Sequence, residues 1–109
     1  MTYADYARAL NAGANAAPTP EWRVVMKYYA ALHATNSRLY AEGAAPLTHA
    51  QHENRLLADV ALTQFFPEYL ELKQLSRDAR YRPQIHPMTN AQVERAERLA
   101  RVLLEACGL

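Results

Sequence analysis

Four threonines, each opening a run of helix-forming residues, constrain this chain more than any other feature. Thr2 precedes Tyr-Ala-Asp, Thr19 precedes Pro-Glu-Trp, Thr48 precedes His-Ala-Gln and Thr89 precedes Asn-Ala-Gln. A threonine so placed accepts hydrogen bonds from backbone N–H groups that the first turn of a helix leaves unpaired. Thr48 with Gln51 and Thr89 with Gln92 have capping-box spacing, and Pro20 suits the first helical position after Thr19. Met88 and Val93 are spaced as a hydrophobic staple. The stops agree: Gly13, Gly43 and Gly108 fall where a first, a second and a last helix would end. No stretch alternates apolar and polar residues as a strand would. The pattern predicts an all-α bundle of four or five helices.

The predicted second helix, about residues 20–42, carries Trp22, Val25, Met26, Tyr29, Leu32, His33, Asn36, Leu39 and Tyr40 at three-and-four spacing, with Trp22, Val25 and Met26 starting its inner stripe. The third, from about residue 49, turns Leu56, Leu57, Val60 and Ala61 inward, and Pro67 forces a kink or a restart. The fourth, about 67–81, buries Leu72, Leu75, Ser76 and Ala79; the last, about 90–106, buries Val93, Ala96, Leu99, Val102 and Leu103. A chain of 109 residues makes one domain, with a core over about residues 20–105 and an N-terminal helix and linker over 1–18.

Composition narrows the partners. A net charge of +1 gives no global field toward nucleic acid or membrane, so any anion site must be local. Cys107 is the lone cysteine, which excludes an intrachain disulfide and fits a reduced compartment. The early acid of the first residues is unlike a secretory signal, and no apolar run approaches bilayer length. The expectation is a cytoplasmic protein with no membrane partner and no cofactor.

Three segments could carry chemistry. On the second helix Tyr29, His33, Asn36 and Tyr40 share a face, where His33 is either a hydrogen-bonded core histidine or a half-buried group suited to proton transfer. Thr-His-Ala-Gln-His-Glu-Asn-Arg, residues 48–55, places His49, His52 and Glu53 in one helical turn, but lacks metalloprotease spacing and a further ligand cluster, so no metal is expected. Residues 73–82 hold Lys73, Arg77, Arg80 and Arg82 against the single acid Asp78. Lys73, Arg77, Arg80 and Tyr81 share one face, read either as solvated charge or as a phosphate contact with base stacking. Arg82 before Pro83 and His86 before Pro87 are pushed toward extended backbone.

Tyr-Tyr-Ala-Ala-Leu-His-Ala-Thr-Asn (28–36), the segment 48–55, Tyr-Leu-Glu-Leu-Lys-Gln-Leu-Ser-Arg-Asp-Ala-Arg-Tyr (69–81) and a final amphipathic helix together resemble the HEPN domains (higher eukaryotes and prokaryotes nucleotide-binding) over about residues 20–105. The resemblance implies an antiparallel four-to-five-helix bundle that forms a homodimer. It implies one of two activities. Many HEPN proteins are metal-independent ribonucleases of toxin–antitoxin or phage-defence systems, with an Arg and a following His separated by four to six residues; Arg80 and His86 have five residues between them. Others are non-catalytic modules that bind a nucleotide or partner a nucleotidyltransferase antitoxin, and Arg-Asp-Ala-Arg-Tyr (77–81) is similar to the signature of that branch, with Arg80 in place of its acid.

Three readings follow. In a ribonuclease, His33, Arg77, Arg80 and His86 are the catalytic candidates and Tyr29, His49, Lys73 and Tyr81 the RNA contacts. In a binding module, Arg77, Arg80 and Tyr81 hold a nucleotide or a partner. In a purely structural dimerisation protein, these groups only satisfy the core. The first two place a site where the second helix faces the end of the fourth, with His33 ranked above His86 because His86 lies beyond Pro83.

Overall fold

Each of the four threonines starts a helix. In the computed structural model, which describes residues 1–42, 44, 48–81 and 87–109, the helices are α1 (Tyr3–Gly13), α2 (Pro20–Leu39), α3 (His49–Ala58), α4 (Phe66–Tyr81) and α5 (Asn90–Ala106). Short 3-10 turns lie at Ala14–Ala16 and Thr63–Phe65, and no strand occurs among the described residues. Thr89 and Gln92 close the reciprocal capping box. Thr48 makes only half of one, accepting from the Gln51 N–H at 3.1 Å without the return bond. A full box also forms at Thr2, where the Asp5 carboxylate accepts from the Thr2 N–H at 3.0 Å. Met88 and Val93 are both buried in the core.

The ends differ from expectation in instructive ways. α2 stops at Leu39, because Tyr40 takes extended backbone and turns its ring toward α3. The predicted stop at Gly43 lies outside the described residues, as do Arg82, Pro83 and His86. Gly13 has a helical φ of −65°, so it is not a left-handed cap. A Cβ there would come within 3.2 Å of Met26 Cε, the flexible end of that side chain, which would have to shift by a few tenths of an ångström. Gly108, at φ 80°, does occupy the left-handed region after α5. Pro67 marks a restart rather than a kink: α3 ends at Ala58 and α4 begins at Phe66, leaving the proline in a first turn where no N–H is needed.

α2 is the hub, packed by α1, α5 and α4. Ala30, Ala31 and Ala34 are wholly buried on it, their small side chains admitting neighbours on several sides. The apolar and aromatic circumference of α2 is thus covered largely within one chain. Trp22 departs from its predicted inner stripe and is 56% exposed, since its position in the first turn lies at the margin of that covering. Leu57 and Val60 also face outward, Val60 at 91% exposure. Here Asp59 leaves the helical region and its carboxylate accepts from the N–H groups of Ala61 and Leu62 at 2.9 and 3.1 Å. The helical period breaks at that turn, and Leu62 is buried instead. α1 belongs to the same core, with Ala7 buried and Leu10 packed against it. No helix among the described residues is long and apolar enough to cross a membrane.

Candidate functional site

The basic face of α4 meets the start of α3. Lys73, Arg77, Arg80 and Tyr81 lie at three-and-four spacing on α4, and Thr48 places His49 at the first position of α3. Together with the buried ring of Tyr28 they line one cleft of about 400 Å³. Five of the eight candidate residues therefore share a single cavity wall.

Arg80 is held by tyrosines. Its Nη1 donates to the Tyr29 hydroxyl oxygen at 3.0 Å, and its guanidinium lies 5.8 Å from the Tyr29 ring centroid and 5.3 Å from that of Tyr81. Tyr29 thus joins the site through Arg80. Lys73 donates to Glu53 Oε1 at 2.7 Å, which fixes the ammonium across from α3. Among the described residues, no carboxylate forms an ion pair with Arg77 or Arg80; the pairs there are Lys73–Glu53, Arg38–Asp59 and Arg95–Glu71. Two guanidiniums thus line an open cleft with donor capacity to spare. That is the electrostatic form of an anion site. Beneath them the Tyr28 and Tyr69 hydroxyls lie 3.4 Å apart, and burial raises the pKa of both, so they stay neutral donors or acceptors.

The histidines divide. His49 is exposed in the cleft. His33 turns to α1, its ring centroid 5.5 Å from that of Tyr6 and 6.1 Å from that of Tyr3, and it is absent from the cleft lining. Burial lowers its pKa, and Nδ1 has no hydrogen-bond partner among the described residues. His52 is 2% exposed and bonded at both nitrogens, to Thr35 Oγ1 and Tyr40 Oη, each at 3.0 Å. His52 therefore serves the core while His49 serves the cleft, and among the described residues no group of three His, Cys, Asp or Glu side chains is placed to hold a metal. His86 lies outside the described residues. Burial pushes the Cys107 thiol up to about 11, leaving it protonated and unreactive near neutrality.

Sequence reasoning missed Tyr28 and Glu53 as parts of the site. Glu53 carried a usable signal, since it lies four residues after His49 on one helix face. Tyr28 carried none, because its neighbour Tyr29 fitted the expected stripe equally well. Compared with known proteins, the chain matches no family model, no curated sequence and no solved structure.

Proposed function

We propose that this chain is a HEPN-like module, an antiparallel helical bundle, that binds the phosphate of RNA or a nucleotide in the α3–α4 cleft. One observation carries the reading: Lys73, Arg77 and Arg80 converge with His49 and Tyr81 on one cavity, and no carboxylate pairs with either arginine among the described residues. Lys73 is paired with Glu53, but gathering two arginines without counter-charge costs free energy that a bound phosphate offsets, and a guanidinium can bond its oxygens in pairs. Tyr81, 72% exposed beside Arg80, adds a face on which a base can stack. The test is binding of labelled single-stranded RNA across a salt series. Arg77→Ala weakens all sequences alike and reduces the slope of log K against log salt by about 1. An unchanged slope removes Arg77 from the site.

A second reading, the metal-independent ribonuclease, is favoured by His49 lying in the same cleft as both arginines. There the His49 imidazole takes the proton of the RNA 2′-hydroxyl as its oxygen attacks the phosphorus, the P–O5′ bond breaks, the 5′-oxygen leaves as a hydroxyl with a proton from water, and the guanidiniums neutralise the developing charge. RNA cleavage in EDTA that leaves 2′,3′-cyclic phosphate ends and disappears in His49→Ala supports it; intact RNA over hours counts against it.

The homodimer belongs to the same proposal, supported by the outward-facing Leu57, Val60 and Leu70. A monomer mass in light scattering at tens of micromolar counts against it.

A further inference from the structure

Arg80 lines two cavities. Besides the basic cleft it borders a second cavity, of about 350 Å³, lined by Thr19, Glu21, Trp22, Val25, Ala79 and Arg80. Its chemistry is the opposite of the basic cleft. Trp22, Val25 and Ala79 make it largely apolar, and the one charged group besides Arg80 is the Glu21 carboxylate. The Thr19 hydroxyl is committed to the Trp22 N–H at 3.2 Å as the α2 cap. The Trp22 indole is more than half exposed and forms part of this cavity's wall.

We infer that the Trp22 cavity takes a nucleobase whose phosphate is held by Arg80, the residue that lines both this cavity and the basic cleft. The inference rests on the phosphate-binding reading of the neighbouring cleft. Glu21 disfavours a second phosphate in this cavity, so the group entering beside Arg80 is not a further anion. The indole favours a flat ring, and the carboxylate can accept from an exocyclic amino group. Arg80 thereby marks the boundary between a phosphate-bearing and a base-bearing part of the same ligand, with Tyr81 as a second stacking face on the phosphate side.

Trp22 is the sole tryptophan, so its emission reports directly on stacking. The probes are a labelled adenylate RNA hexamer, an abasic hexamer with the same phosphates, and AMP, all at low salt. The adenylate hexamer is expected to quench Trp22 emission, while the abasic hexamer binds without quenching. By anisotropy of the label, Trp22→Ala weakens the adenylate hexamer about tenfold and leaves the abasic one unchanged, and Trp22→Phe restores most of the loss. Quenching by the hexamer alone identifies the ligand as a strand, and equal quenching by AMP identifies a free nucleotide. If both hexamers bind equally without a change in emission, and Arg80→Ala weakens both, the base site is wrong and the phosphate cleft stands. If neither hexamer binds, both readings fall. Should Trp22→Ala fail to fold, the quenching contrast and Trp22→Phe still decide the matter.

Discussion

The proton inventory around His52 closes without ambiguity. Thr35 spends its hydroxyl proton on the Leu32 carbonyl at 2.8 Å, so its oxygen can only accept from His52 Nε2–H. Nδ1 is then the acceptor of the Tyr40 hydroxyl proton, and the imidazole is neutral. Protonation would set a second N–H against that hydroxyl, and burial already holds the pKa down at about 4. The ordinary value of 6.5 lies above this, so the unfolded chain binds more protons between the two. His52 therefore contributes fully above about pH 6.5 and less as pH falls toward 4. Folding should lose about 2 kcal/mol by pH 5 from this group. Urea midpoints at pH 7 and pH 5 check it: His52→Gln should flatten the difference, and equal differences in both proteins would show the network to be energetically silent. Cys107 offers a simpler check. Its buried thiol should react with a disulfide reagent far more slowly in the folded protein than in urea.

Helix starts and helix contacts draw on different chemistry. The reciprocal box at Thr89 satisfies two backbone donors and the single bond at Thr48 satisfies one. Thr89→Ala should cost about 1 kcal/mol, and more than Thr48→Ala. Denaturant midpoints in the reverse order would mean that α3 depends on its cap more than α5 does. The α1–α2 contact is pinned by Lys27, whose buried ammonium donates to Asn11 Oδ1 at 2.7 Å and to the Asn11 carbonyl at 3.0 Å. Asn11→Ala removes one of those acceptors and should cost about 1–2 kcal/mol. Lys27→Met, which removes the charge and keeps the length, should be close to neutral. If Lys27→Met proves the more damaging change, the bond itself rather than the buried charge dominates.

Because α2 is shared by α1, α4 and α5, the chain should unfold as one unit. Removing residues 1–18 uncovers the α2 surface that packs on Ala7 and Leu10, so the shortened chain should lose cooperative urea unfolding in circular dichroism. A sharp transition in the shortened chain would make α1 an accessory. The helix starts were legible in the residues because a threonine and the N–H three residues on are joined within one turn, whatever the rest of the chain does. The inward stripe of α4 was largely legible too, since Leu72, Ser76 and Ala79 are buried at helical spacing, while Leu75, expected with them, is only partly buried. The fates of Trp22, Val60 and His33 were not. A period tells which residues share a face, but only packing tells what covers it: open water for Trp22, a broken turn at Asp59 for Val60, the tyrosines of α1 for His33. The cleft is the clearest case. Lys73, Arg77, Arg80 and Tyr81 already shared a face on one helix, but His49 and Glu53 reach them only through the approach of α3 to α4. That approach is set by the volumes of buried side chains drawn from the whole chain, which local spacing does not encode.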